Sequence, residues 1–297
     1  MLIEIGAIPM KEYQRFLAPR FIPFDPLELA KETEKIVSRA GSEGLERKYS
    51  GIYSAPVYGG TSTGYSAGCC LRCIYCWGDW SRDYPEKFGY YYSPRAVAQK
   101  LFSAAEKGIT SPGWERFVGL KVEKLRISGC EPTLARDHLL SVLQIVMDSR
   151  FQLFILETNG ILLGQDSDYV RKLSEFKRKL YVRISFKAAR PNEFTQRTGA
   201  KGEFCVLPFN ALKSLLDHGI RARAAAMTDP KVMSKDERTL LIKKLDEIDP
   251  SARYSETLEE ETIDMYETTT ARMEASRNPI FAQRLEDMAL RAQRKDP

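Results

Sequence analysis

The chain has 297 residues, with 45 Lys and Arg against 40 Asp and Glu, a formal charge of +5, and 43% hydrophobic and 10% aromatic residues. That composition supplies a full apolar core, which excludes global disorder and fibrous architecture, and the length suits one large α/β domain or two ordinary ones. The longest apolar stretches, such as His138 to Met147, run about ten residues, short of the roughly 18 to 20 that a membrane-spanning helix needs, so no membrane partner is expected. The first residues, Met1-Leu2-Ile3-Glu4, lack the basic region and apolar stretch of a secretion signal, and a cytoplasmic location is expected. The middle of the chain is basic and the tail acidic, with no dense Lys/Arg run; this permits an anionic substrate without demanding nucleic acid.

Residues 1 to 51 read as an N-terminal extension with Pro-rich turns, a helix over about Leu27 to Ala40 and the glycine-punctuated Gly41-Ser42-Glu43-Gly44. A strand is predicted over Ile52 to Tyr58, then a cysteine-rich loop, then a helix opened by Ser93 as N-cap and Pro94, with Val97, Leu101 and Ala104 on one face. Strands over Leu125 to Ser128, Leu153 to Glu157, Tyr181 to Phe186 and Ile220 to Ala226 alternate with helices over Leu139 to Met147, Tyr169 to Lys179 and Leu212 to His218. A further helix starts at the capping box Ser234-Lys235-Asp236-Glu237 and runs to about Ile248. Tyr254 to Leu258 reads as a last strand, followed by an acidic, helix-prone tail to Arg294 with a break at Pro279.

Repeated βα units imply a parallel sheet, open or curled into a barrel. In Leu180 to Lys187, the side chains of Leu180, Val182, Ile184 and Phe186 share one face, and Tyr181, Arg183, Ser185 and Lys187 the other. Arg221 and Arg223 repeat that pattern. A closed barrel fills its interior with apolar side chains, so these strands predict a partial, open barrel whose inner face lines a wet, partly positive cavity.

Four of the six cysteines fall within eight residues, in Cys69-Cys70-Leu71-Arg72-Cys73-Ile74-Tyr75-Cys76. Clustering of this kind outside a secreted protein argues for metal rather than disulfides. Cys69, Cys73 and Cys76 fit C-x3-C-x2-C, and three thiolates can hold three irons of a [4Fe-4S] cluster while the fourth iron stays open. A structural zinc site with Cys70 as fourth ligand is the alternative. Cys205, His138 and His218 read as structural residues.

At this loop the chain resembles the radical SAM superfamily over residues 52 to 260. Further segments match in order: Ser128-Gly129-Cys130-Glu131-Pro132 looks like the family's Gly-Gly-Glu-Pro segment, with Cys130 replacing the second Gly, and Glu157-Thr158-Asn159-Gly160 resembles the ETNG or DTNG element of its activating enzymes and deazaguanine-forming branch. The resemblance implies a partial (β/α)6 TIM-type barrel with an N-terminal extension and a helical tail over 261 to 297. It implies one [4Fe-4S] cluster on Cys69, Cys73 and Cys76, with S-adenosylmethionine (SAM) as second cofactor. The SAM contacts would come from Tyr75 beside adenine, Gly129, Cys130 and Glu131 at the methionine amino group, Thr158 and Asn159, Ser185 and Lys187 at ribose and carboxylate, and Met227 at the adenine edge. It also implies cleavage of SAM to methionine and a 5′-deoxyadenosyl radical, fed by a reductant such as ferredoxin or flavodoxin. The chain is similar to wybutosine-forming tRNA enzymes at its C-x3-C-x2-C-W loop but lacks their upstream cysteines, and no cysteine follows Cys205 to match the SPASM and Twitch enzymes. The catalytic residues and the substrate are not identified; the basic inner face points to an anionic or macromolecular substrate, tRNA or a polypeptide. A glycyl-radical activating enzyme, and an iron–sulfur electron carrier or redox sensor that leaves SAM intact, are the alternatives.

Overall fold

The structure, a computed structural model, describes residues 13–110 and 113–293; Met1 to Glu4 and the end of the tail, 294–297, lie outside the described residues. Helix α1 (Pro26–Val37) starts where the Asp25 carboxylate accepts the N–H groups of Leu27 and Glu28, and buries Leu29, Ala30 and Val37. Strands β1 (Ser38–Gly41) and β2 (Gly44–Ala55) form an antiparallel hairpin; β2 pairs antiparallel with β3 (Thr61–Ser66) and with the short β4 (Tyr90–Tyr92). From β3 the sheet is parallel, in the order β3, β5 (Lys124–Gly129), β6 (Leu153–Thr158), β7 (Leu180–Phe186), β8 (Arg221–Met227) and β9 (Glu259–Glu261). Among the described residues this is one mixed α/β sheet of nine strands, six of them parallel, with β1 and β9 at its two ends and no closure between them.

Helices α2 (Pro94–Lys107), α3 (Arg136–Met147), α4 (Ile161–Gln165), α5 (Ser167–Ser174), α6 (Pro191–Thr198), α7 (Leu207–Asp217) and α8 (Lys235–Ile248) connect the parallel strands, followed by the single turn α9 (Tyr254–Thr257) before β9. The tail forms α10 (Glu267–Ala275) and α11 (Pro279–Gln293), broken at Pro279 as predicted. Leu180, Val182, Ile184 and Phe186 of β7 join the main core with Leu125, Leu156, Leu212 and Leu241. Burying such side chains is worth about 1.5–3 kcal/mol each. None of the described helices is long and apolar enough to cross a membrane.

Ser93 caps α2 by accepting the Ala96 N–H at 3.2 Å, and Ser234 caps α8 by accepting the Glu237 N–H at 3.2 Å. The expected capping box is only half made. Glu237 turns its carboxylate away from Ser234 and accepts the Ala189 N–H and the buried Arg197 guanidinium.

Two strand assignments need correction. The strand entering the cysteine loop is β3, not Ile52 to Tyr58, whose residues belong largely to the antiparallel β2. The Thr-Ser-Thr-Gly-Tyr-Ser sequence of β3 has no apolar alternation because its hydroxyls find partners inside the fold: Ser62 Oγ donates to Leu101 O at 2.7 Å, and Thr61 and Thr63 bond each other. Tyr254 to Leu258 is the turn α9, and the last strand is the acidic β9.

Candidate functional site

Parallel strands place their C-terminal ends on one side of the sheet. Here those ends, with the cysteine loop above them, enclose a cavity of about 800 Å3. Cys69, Cys73 and Cys76 line it, as do Tyr75, Gly129, Cys130, Thr158, Asn159, Ser185, Lys187 and Met227. Residues drawn from five separate stretches of sequence therefore meet at one place. Glu131 is the exception.

Glu131 is fully buried and does not line the cavity. Its Oε1 accepts Thr133 N–H, Thr133 Oγ1 and Thr158 Oγ1 at 2.6–3.0 Å, and its Oε2 accepts the Asn159 N–H at 2.8 Å. Four donors saturate the carboxylate, which ties the end of β5 to the end of β6. Gly129 beside it has φ +94°, and a Cβ there would lie 2.9 Å from Ser66 N, so glycine is required for the close passage of β5 against β3.

The cysteine loop is held from several directions. Arg72 N–H donates to Thr198 O and Ile74 N–H to Arg197 O, both at 2.9 Å, which fastens the loop to the C-terminal end of α6. Arg82 donates to Cys73 O at 2.7 Å, and Arg72 to Cys69 O at 2.7 Å. Arg272 of α10 donates to Cys76 O at 2.7 Å, to Gly78 O at 2.5 Å and to Asp79 O at 2.9 Å, and Thr269 adds a bond to Cys76 O. Asp83 sits between Arg82 and Arg272, all three essentially inaccessible to solvent. Burial would raise the Asp83 carboxyl, but the two guanidiniums outweigh it and hold the group below its ordinary range. Residues of α1 and α10, including Leu29, Val37 and Met273, pack in one apolar cluster with Cys69, Cys70, Leu71 and Cys73.

The thiols differ in environment. The hydrogen bond from Cys70 lowers Cys69 to about 7, whereas burial pushes Cys73 up to about 12. Leu71 N–H donates to Cys69 Sγ at 3.4 Å, and Asn159 Nδ2 to Cys70 Sγ at 3.3 Å. Cys70 is fully buried and does not line the cavity. Among the described residues no group of three His, Cys, Asp or Glu side chains is placed to hold a single metal ion. The Tyr75 hydroxyl is buried, lines the cavity and has no hydrogen-bond partner among the described residues.

Sequence reasoning missed the floor of the cavity. Arg126 pairs with Glu157 at 3.2 Å; the Tyr58 hydroxyl donates to Glu157 at 2.7 Å and reaches Glu259 at 3.5 Å; Arg183 pairs with Glu259 at 2.8 Å and Glu261 at 2.7 Å. Ser128 Oγ also donates to Glu157. Burial opposes ionisation of Glu157, yet Arg126 and Arg183 prevail and lower its pKa. The expected positive inner face is thus neutralised. Arg223 is occupied with Thr257 O, and Arg221 is exposed. Of this ladder only Arg183 stood out in the alternating strand patterns, and Glu157 only as the start of the Glu157-Thr158-Asn159-Gly160 segment; Glu259 and Glu261 sit on a three-residue strand that carries no such signal.

No protein-family model matches the sequence, and no curated protein matches it. Among solved structures the chain is similar to TYW1 with a lysine-pyruvate adduct bound, at 20% identity and a TM-score of 0.47 over 64% of this chain and 61% of that one. It is similar to Streptococcus suis SuiB bound to S-adenosylmethionine, at 14% identity and a TM-score of 0.46 over 77% of this chain and 44% of that one. A radical SAM methyltransferase from Sphaerobacter thermophilus is similar at 10% identity and a TM-score of 0.46, over 81% of this chain and 69% of that one. The chain thus spans about three fifths of the TYW1 chain and less than half of SuiB.

Proposed function

We propose that the chain is a cytoplasmic radical SAM enzyme, a partial (β/α)6 barrel over residues 52 to 260 with an N-terminal extension over 1 to 51 and a tail over 261 to 297. The observation that carries this reading is the meeting of Cys69, Cys73 and Cys76 with Tyr75, Ser185, Lys187 and Met227 around one cavity. Cys69, Cys73 and Cys76 would hold a [4Fe-4S] cluster which, when reduced, would supply the electron for reductive cleavage of SAM to methionine and a 5′-deoxyadenosyl radical, the hydrogen-abstracting chemistry of this class.

The residues present fit these groups. The thiols of Cys69, Cys73 and Cys76 line one cavity, as the ligands of a cluster with an open iron must, while Cys70 is buried outside it and engaged by Asn159, which disfavours the zinc alternative. The orphaned Tyr75 hydroxyl offers a buried polar contact to a bound molecule, as expected of the residue assigned beside adenine. Lys187, steadied by Ser185 Oγ, is a cation on the cavity wall without a carboxylate partner among the described residues, suited to the methionine carboxylate. Gly129 and Cys130 face the same space, and Glu131 acts in this reading by fixing Thr158 and Asn159 rather than by touching the cofactor. The buried clamp around Asp83 keeps the loop in place. Ferredoxin or flavodoxin would supply the electron.

Anaerobic reconstitution with iron and sulfide, followed by dithionite and SAM, is expected to yield 5′-deoxyadenosine, and Cys73→Ala is expected to abolish it. An assembled cluster that binds no SAM would instead favour the electron-carrier alternative.

A further inference from the structure

The part of the cavity not assigned to SAM is aromatic and acidic. Tyr53 of β2 and Tyr65 of β3 stack with ring centroids 4.7 Å apart, and Trp77, just after the last cluster cysteine, meets Tyr65 edge-on at 6.3 Å. Tyr53 and Trp77 remain 40% and 44% exposed although they line the cavity, so their ring surfaces are available to a ligand. Carboxylates complete this region: Asp79 beside Trp77, and Glu261 and Asp264 at the β9 end of the sheet.

The charge of the lining decides what these rings can take. Arg82 is consumed by the buried Asp83, and Lys187 is assigned to the methionine carboxylate in the reading above. What is left is Arg126 and Arg183, two cations, against Glu157, Glu259, Glu261, Asp79 and Asp264, five carboxylates. The two arginines already share three of those acids. Asp79 and Asp264 have no cationic partner among the described residues. A cation beside rings and unpaired carboxylates gains from both the ring quadrupole and Coulomb attraction, while an anion is repelled. Arg126, whose guanidinium lies 5.8 Å from the Tyr65 ring centroid, shows that this wall accepts a cation.

From this we infer that the substrate presents a positively charged group, an amine or guanidinium, to the wall formed by Tyr53, Tyr65, Trp77 and Asp79, within the cavity that Asp264 also lines. The inference rests on the radical SAM reading for its assignment of Lys187, and it replaces the anionic substrate suggested by sequence.

The test uses the full chain, reconstituted anaerobically and first titrated with SAM by calorimetry. Phenethylamine, 2-phenylethanol and phenylacetate, one ring carrying a positive, neutral or negative arm, are then titrated into the SAM-bound protein. Phenethylamine is expected to bind about tenfold more tightly than phenylacetate. Asp79→Asn should narrow that ratio, and Trp77→Ala should weaken the amine. Equal or tighter binding of phenylacetate, absence of amine binding at millimolar concentration, or an amine affinity indifferent to both substitutions overturns the inference. Failure of SAM to bind in the first titration counts against the radical SAM reading; the three ligands are then titrated into the SAM-free protein, where the same amine preference supports the inference with Lys187 unassigned and its absence overturns it.

Discussion

A buried arginine needs acceptors for five N–H groups, and Arg272 finds all five in Asp83 and in the carbonyls of Cys76, Gly78 and Asp79. Removing one partner of such a buried pair costs about 3–5 kcal/mol, because the other charge stays buried without compensation. Arg272→Met is therefore expected to lower the melting temperature and the iron retained per chain after reconstitution, with Arg272→Lys intermediate on both measures. Wild-type iron content in Arg272→Met would show that the clamp does not hold the cysteine loop. Nothing in the local sequence marks Arg272, since its partners lie about 190 residues away. The cysteines themselves, by contrast, were legible from spacing alone.

At the scale of elements, α4 and α7 approach so closely that a Cβ on Gly164 would overlap the Leu207 carbonyl oxygen. Backbone atoms of a packed helix cannot yield as a flexible side chain does. Gly164→Ala should thus destabilise the protein by about 1–3 kcal/mol or more, the usual range for overpacking, seen as a lower urea midpoint; an unchanged midpoint would mean that the two helices can slide apart. The same scale shows where patterns succeed. α2, α8 and β7 announced themselves through caps and alternation, because one face meets the core and the other water or the cavity. β3 and β9 did not: the hydroxyls of one are satisfied by neighbouring segments, and the carboxylates of the other by Arg183 and Arg238.

Over the whole molecule, the unfolded chain and the folded one compete for protons. His138 of α3 is enclosed against the Tyr49 hydroxyl at 3.1 Å and Leu45 O at 2.7 Å, and burial lowers its pKa to about 4. An unfolded imidazole protonates near about 6.5, so between about pH 6.5 and about pH 4 the unfolded state binds more protons and stability rises with pH. This contribution is complete above the unfolded pKa and is lost as pH falls toward the folded one. The carboxylates of Asp83 and Glu157, held below their ordinary range, lose their contributions at lower pH still. The urea midpoint is expected to fall between about pH 7 and about pH 5, and His138→Gln should flatten that dependence. Equal slopes in the two proteins would assign the effect to another group.

From the sequence alone came the βα alternation, the three cysteines at C-x3-C-x2-C, the polar face of β7 and the helical tail with its break at Pro279. Each is local: a spacing, a cap or a period is written within a few consecutive residues. Tertiary structure decided what distant residues do to one another. It paired Arg126 and Arg183 with Glu157, Glu259 and Glu261 and so removed the positive cavity, withdrew Glu131 from the cavity into a bond network between β5 and β6, and brought α10 back onto the cysteine loop through Arg272. Charge and hydrogen-bonding capacity can be counted along a chain, but whether they are neutralised depends on which elements the fold sets side by side.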